Sequence, residues 1–302
     1  MKQTLLISFA LIFCFYGPLT WGAELVISEH FQDVVLDAQV GESESRSVLD
    51  ILKDHAQVQT AFGGGYVTTI QVSEKKISET EGMHWFYYVN GIMAHVGAAS
   101  YQAKERDHIW WDYHNWDGER FVSAVIGAWP EPFLSGYGGR TGETQIWTTA
   151  ELAQEGQNLK GFLETKGAAR VEVFEITDTH KINSAAGFSI YVGAWPALEA
   201  HQALHDLFRN GKRVGLFVEF EDGNLVALDW QGAKRNSYAG AGCVLALKSA
   251  FGHMQPVWIV SGTHQDAVRS AINILMYHPD RIKNQAGVLV AGEELVNVPV
   301  FS

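Results

Sequence analysis

Nine aromatic residues crowd the 32 positions from 85 to 116, more than twice the 12% aromatic content of the whole chain. Two runs frame this segment, at 85–89 and 110–116, and both are rich in residue types that favour strands. Because side chains on a strand point alternately to opposite faces, Trp111 and Tyr113 share one face and Trp110 and Asp112 share the other. A small domain has one core, so we expect one aromatic row to lie outside it. Exposed rings beside polar groups are typical of a binding surface.

These rings and their polar neighbours are the predicted ligand-binding residues. Flat rings bind flat or sugar-like molecules by stacking and apolar contact, while a few polar groups fix the orientation. The predicted set is Trp85, Tyr87, Tyr88, Asn90, His95, Trp110, Trp111, Asp112 and Tyr113. The alternative is that a neighbouring domain covers the second aromatic face, so that the rings hold the domains together.

The first 22 residues are typical of a secretory signal peptide. Lys2 precedes an apolar run at positions 5–16, and we expect cleavage between Gly22 and Ala23 and export to the periplasm, cell surface or medium. Loss of Lys2 changes the formal net charge from −12 to −13. An acidic chain without a basic run argues against nucleic acid and anionic membrane surfaces as partners. The one cysteine left, Cys243, lies in an apolar stretch typical of a core position.

Residues 23–128 predict one β-rich domain. Apolar positions 48, 51 and 52 form a helical stripe behind Ser47, a plausible N-cap. Asn90-Gly91 is the commonest two-residue hairpin signal. Strands are expected at 24–28, 66–72, 85–89, 92–95 and 109–113. One helix among four or five mixed strands is a β-grasp-like pattern, so the expected fold class of this N-terminal domain is α+β.

Five short motifs in this domain resemble a known family. They are Ser-Val-Leu-Asp-Ile-Leu at 47–52, Gly-Gly-Gly-Tyr at 63–66, Trp-Phe-Tyr-Tyr-Val-Asn-Gly at 85–91, Val-Gly-Ala-Ala-Ser-Tyr at 96–101 and Asp-His-Ile-Trp-Trp-Asp-Tyr at 107–113. Together, over residues 45–115, they resemble the bacterial transcobalamin-like C-terminal domain, a β-grasp family. The resemblance implies a secreted ligand-binding module with a corrinoid, cobalamin-type ligand and no required cofactor.

A membrane transporter or another cell-surface protein is a further expected partner of such an exported module. No stretch of the chain predicts the helical barrel that completes the binding cleft of the animal vitamin B12 carriers. Other flat or sugar-like ligands therefore stay open.

The second half of the chain has a different order of predicted elements. Residues 129–144 are interpreted as a connector; within them, positions 136–142 mimic a phosphate loop but lack its Lys-Ser/Thr ending. Residues 145–302 predict a three-layer α/β domain with a largely parallel sheet, because strands and helices alternate. Helices are expected near 150–165, 197–209, 241–251 and 264–276, and a second hairpin at 214–229.

Enzymatic activity is not expected. The Gly-x-Ser-x-Gly signature of hydrolases is absent, and His95, His108 and His114 lack a diagnostic metal-binding spacing. The favoured interpretation is an exported ligand-binding protein without a metal. Two alternatives stay open: a cell-surface scaffold or adhesion protein with aromatics packed between its domains, and a carbohydrate-active enzyme with Asp112 as its acid.

Overall fold

The computed structural model describes residues 22–41, 45–116, 120, 122–177, 187–248 and 255–301. The expected signal peptide lies outside these residues, apart from Gly22. No helix in the described part of the chain has both the length and the apolar character needed to cross a lipid bilayer. Strands dominate the structure, with helices packed on two of its sheets, and the expected mixed α+β fold class is confirmed.

The N-terminal half is a mixed sheet with one helix packed on it. Its elements are β1 (Glu24–Glu29), β2 (Asp33–Gln39), α1 (Val48–His55), β3 (Gln57–Ala61), β4 (Tyr66–Val72), β5 (Lys75–Ser78), β6 (Met83–Val89), β7 (Ile92–Met93) and β8 (His108–Asn115). The main sheet has the order β2-β1-β8-β6-β7, with β1 and β8 parallel, and β3, β4 and β5 form a small antiparallel sheet. One helix across a sheet of this order fits the expected β-grasp-like arrangement.

Helix α1 starts and packs as its sequence pattern predicts. The Ser47 hydroxyl accepts a hydrogen bond from the backbone N–H of Asp50 at 3.1 Å, which satisfies one of the free donors of the first turn. Val48, Ile51 and Leu52 are buried in the core beneath the sheet. The predicted N-cap and helical stripe are confirmed.

The main sheet is covered on both faces by different partners. On one face, Tyr87 stacks on Trp111 with ring centroids 5.0 Å apart, in the core that also contains α1. On the other face, Tyr88 and Trp110 belong to a core that they share with strands of the C-terminal half. The second aromatic row is therefore buried between the two halves of the protein.

The C-terminal half is built on a seven-stranded sheet. Its elements are β9 (Glu143–Thr148), α2 (Ala153–Lys166), β10 (Val171–Glu175), β11 (Gly187–Ala194), α3 (Trp195–Leu198), α4 (Gln202–Arg209), α5 (Gly211–Val214), β12 (Val218–Glu221), β13 (Asn224–Leu228), β14 (Lys234–Ala239), β15 (Gly242–Lys248), β16 (Pro256–Gly262), α6 (Gln265–Tyr277), β17 (Gly287–Ala291) and β18 (Glu294–Val298). The order is β10-β9-β11-β16-β15-β17-β18. The first four strands are parallel and the last three join antiparallel, so the sheet is mixed rather than largely parallel.

Two different layers cover this sheet. Helices α2 and α6 pack on one face, where Leu159 and Val268 meet Ile190 and Trp258. The opposite face packs against the three-stranded sheet β12-β13-β14, α4 and the aromatic face of the N-terminal sheet. The third layer is therefore supplied mostly by strands, many of them from the N-terminal half.

The predicted helix at 241–251 is wrong over its described part. Residues Gly242–Lys248 form strand β15, which pairs with β16 and β17 and is buried at every position. A short, continuous apolar run has no period that separates a buried strand from a buried helix. The predicted hairpin, in contrast, is confirmed: Asp222 and Gly223 connect β12 and β13, both with the positive φ that such a turn requires.

Candidate functional site

The predicted ring residues fill cores and form no open surface. All six are buried: Trp85, Tyr87, Tyr88, Trp110, Trp111 and Tyr113. The expectation that one aromatic row stays exposed is wrong for these rings, because α1 covers one face and the C-terminal half covers the other. Trp116, just past the end of β8, is the tryptophan of this segment that remains accessible, with 44% of its surface exposed.

Asp112, the candidate acid, belongs to a closed hydrogen-bond network. Its carboxylate accepts from the Ser28 hydroxyl, from the backbone N–H of Phe31 at 2.8 Å, and contacts Nδ1 of His114 at 2.8 Å. The Trp110 indole in turn donates to Ser28 Oγ at 2.7 Å. Asp112 has no exposed surface, so no glycan reaches it in this structure. Burial lowers the pKa of His114, although the hydrogen bond and the negative charge of Asp112 oppose this shift.

Asn90 is a structural junction. Its side-chain amide donates to Asp107 Oδ1 at 2.9 Å and to the Gly136 carbonyl at 2.7 Å, and its Oδ1 accepts from the backbone N–H of His108 at 2.8 Å. Asn90 is fully buried and has the left-handed φ of 53° that its predicted turn position requires. It ties the β6–β7 turn to the connector and to the start of β8.

A groove of about 630 Å³ lies between the two halves, within the size range of small-molecule sites. Its apolar wall contains the indole of Trp129 and the ring of Phe162, which stack with an interplanar angle of 6°. Three acids and three bases line it, so their formal charges cancel. They are Glu24, Glu131, Asp280, Arg106, Lys166 and Lys283.

Several of these charged groups are held in place by short contacts. Lys283 Nζ donates to Glu24 Oε1 at 2.7 Å, and Lys166 Nζ lies 5.5 Å from the centre of the Phe162 ring. Glu131 accepts from both the backbone N–H and the hydroxyl of Ser135, at 2.8 and 2.7 Å. Burial raises the pKa of Glu131 despite these bonds. The groove therefore has a preorganised polar rim beside an aromatic wall.

His108 is the unusual residue of this groove. Its side chain lines the groove, only 6% of its surface is exposed, and neither ring nitrogen has a hydrogen-bond partner among the described residues. The nearest acidic atom, Glu24 Oε2, is 3.6 Å from Nε2, which is too long for a hydrogen bond. Burial lowers the pKa of His108, so the ring is neutral and offers one donor and one acceptor.

His95 is the predicted site residue that is accessible. It lies after β7 and lines a separate cavity, where its Nδ1 is 3.2 Å from the Tyr137 hydroxyl. The described residues contain no cluster of three His, Cys, Asp or Glu side chains that could hold a metal ion. The structure thus brings His95 to a cavity and leaves the other eight predicted residues in the interior.

Sequence reasoning missed the groove because its residues are scattered. Glu24, His108, Trp129, Phe162 and Lys283 are brought together from five distant parts of the chain. The local signal that existed was Trp-Pro-Glu-Pro-Phe at 129–133, an aromatic and acidic run in a segment interpreted only as connector.

Comparison with known proteins gives one partial match. Residues 45–115, about a quarter of the chain, match a family model described as a domain of unknown function, DUF4430. No curated protein matches the chain. The matched segment runs from the residues before α1 to the last residue of β8, and it contains Arg106 and His108 of the groove.

Proposed function

We propose that this protein is an exported binding protein that holds a small ligand in the groove between its two halves. The observation that carries the proposal is His108, a buried neutral imidazole that lines the groove and has no hydrogen-bond partner for either ring nitrogen among the described residues. A buried polar group without a partner costs about 1–3 kcal/mol. A ligand that hydrogen-bonds to one of these nitrogens would recover part of this free energy. Export is inferred from the signal-peptide pattern of residues 1–22.

The charges and side-chain types that line the groove indicate which class of ligand it can bind. Its formal charges cancel, and it has one aromatic wall and a neutral histidine. This chemistry favours an uncharged or zwitterionic molecule that carries amide or hydroxyl groups on an apolar frame. A corrinoid, whose flat macrocycle is ringed by amides, is our first candidate because of the family resemblance, and a sugar-like ligand is the second. A membrane transporter or cell-surface partner would then receive the ligand; no cofactor is required.

The test is calorimetric titration of the mature chain, residues 23–302, with cobalamin, with a corrinoid that lacks the nucleotide, and with a panel of cell-surface oligosaccharides. The decisive variant is His108→Leu. Since leucine removes a buried unpaired polar group without leaving a large cavity, the fold should keep or gain stability. Affinity should fall at least tenfold, which corresponds to about 1.4 kcal/mol.

The matched control is His278→Leu, at an exposed histidine after α6, which should bind as the unmodified protein does. Absence of binding to every member of the panel at micromolar concentration would remove the proposal. Equal affinity of His108→Leu and the unmodified chain would show that the groove is not the site.

A scaffold or adhesion protein is the second candidate, favoured by the burial of Tyr88 and Trp110 between the two halves. In that case the aromatic residues of β6 and β8 only hold the two halves of the protein together. A fragment of residues 23–128 would expose this face and should aggregate. Adhesion predicts that the intact protein binds whole cells, and that His108→Leu does not change this binding.

A further inference from the structure

A second cavity, separate in its lining from the groove, opens beside the glycine-rich part of the connector. It has a volume of about 450 Å³ and is lined by residues 137–142 except Gly139, together with His95, Gly187, Phe188 and Gln255. Its lining therefore comes from both halves of the protein and from the segment that joins them. It shares no lining residue with the groove that contains His108.

The charge of this cavity is opposite to that of the chain. The chain has 34 acidic and 22 basic residues, yet among the described residues no acid lines the cavity, and Arg140 is the one lining residue of that set with a formal charge. Arg140 is exposed and forms no salt bridge with any acid in the described ranges. The remaining polar lining consists of neutral donors, including the Tyr137 and Thr141 hydroxyls and the Gln255 amide.

A buried lysine adds a second positive charge next to this cavity. Lys248, the last residue of β15, has 6% of its surface exposed, and its Nζ donates to the Met93 carbonyl at 2.8 Å. In register, Lys248 lies opposite Pro256, the neighbour of the lining residue Gln255. No carboxylate of the described segments forms a salt bridge with it. Uncompensated buried charge is costly, and a nearby anion would reduce that cost.

The electrostatic effects on neighbouring groups agree with this placement. Burial and the positive charge of Lys248 together lower the pKa of His95, whose ring contacts Tyr137 in the cavity. Burial lowers the pKa of Lys248 to about 8, so the amine is still mostly protonated at neutral pH. Neither cation forms a salt bridge within the described residues, and the buried Asp107 carboxylate, whose charge raises the pKa of Tyr137, is held by Asn90 and Tyr101.

We propose that this cavity binds the carboxylate or phosphate group of a small anionic molecule, with Arg140 as the direct donor and Lys248 as a buried positive charge behind it. A planar guanidinium binds either group through two parallel N–H bonds. Hydroxyl groups of Tyr137 and Thr141 can complete the polar contacts. The site would work independently of the groove, so the protein would recognise two different chemical groups.

The test uses the full exported chain in low-salt buffer, with calorimetric titration of inorganic phosphate and of succinate, and sodium chloride as the reference anion. We expect saturable binding of at least one of the two anions, and added salt should weaken it. Arg140→Gln should weaken that binding at least tenfold. The matched control Arg170→Gln, at an exposed arginine after α2, should leave the affinity unchanged.

The variant Lys248→Met tests the same proposal independently of Arg140. Methionine keeps most of the side-chain volume and removes the buried charge together with its hydrogen bond to the Met93 carbonyl, so the protein should stay folded while anion affinity falls. His108→Leu should bind the anions as before, which separates this site from the groove. Failure of both anions to bind above the level of chloride would overturn the proposal, as would equal losses in Arg140→Gln and Arg170→Gln.

Discussion

Replacement of Asn90 by alanine should destabilise the protein severely, because the Asn90 side chain is fully buried and makes hydrogen bonds there. Asn90 makes three buried hydrogen bonds, to the Asp107 carboxylate, to the Gly136 carbonyl and from the His108 backbone N–H. Alanine removes all three and leaves each partner buried. The change should loosen the β6–β7 turn from the connector and from the start of β8, where His108 lies.

The magnitude follows from the types of bond. A hydrogen bond to a charged group contributes about 1.5–3 kcal/mol, and a neutral one about 0.5–1.5 kcal/mol. One charged and two neutral bonds give an expected loss of about 2.5–6 kcal/mol. This is a large share of the 5–15 kcal/mol that usually separates folded from unfolded protein. Burial raises the pKa of Asp107, and the bond from Asn90 opposes that rise, so the carboxyl should also protonate more readily in the variant.

Urea denaturation followed by tryptophan fluorescence measures this loss as a lower midpoint. The matched control is Asn236→Ala on the exposed strand β14, whose side chain makes one weak contact with Tyr238 at 3.3 Å; it should change the unfolding free energy by less than about 0.5 kcal/mol. If Asn90→Ala loses less than about 1 kcal/mol, the argument that these three bonds join the segments is wrong.

Three further predictions concern stability and reactivity. Burial lowers the pKa of His108 and His114, so the unfolded chain binds more protons than the folded chain below pH 6.5, and stability should fall as the pH drops from 7.5 to 5.5. The loss is up to about 1.4 kcal/mol per pH unit below 6.5 for each histidine; urea midpoints at both pH values check it, and His108→Leu should reduce the pH dependence. Gly127→Ala would place its Cβ 2.5 Å from backbone atoms of the segment before β17 and should cost about 1–3 kcal/mol, whereas Gly161→Ala, with nothing within 4 Å, should stabilise α2 by about 0.5–1 kcal/mol; thermal midpoints that rank the other way would contradict this. Burial raises the pKa of Cys243 to about 12, so a thiol reagent should label it in urea and leave the native protein unmodified; rapid native labelling would show that the strand opens.

Local chemistry made several elements predictable. The Ser47 cap with the stripe at 48, 51 and 52 specifies a helix start and one buried face. The turns at Asn90-Gly91 and Asp222-Gly223 require positive φ, which these residue types adopt at little cost. Each of these signals lies within a few neighbouring residues, so the sequence is sufficient to locate it.

Strand β15 and the order of the large sheet were not predictable in this way. The run at 242–247 is apolar at every position because it lies inside a sheet that is covered on both faces. Its neighbours β16 and β17 are distant in sequence from β9 and β11, and no local pattern records which strands pair. Pairing is settled by the packing of the whole chain.

The sequence by itself determined that strands β6 and β8 carry aromatic rings on both faces, because the alternation of side chains is a property of the extended backbone. Only the tertiary structure decided that both faces are covered, since burial depends on residues more than a hundred positions away. The same reason explains the two cavities. Glu24, His108 and Lys283 line one, and His95, Arg140 and Gln255 the other, because folding brings together groups that the linear order keeps apart.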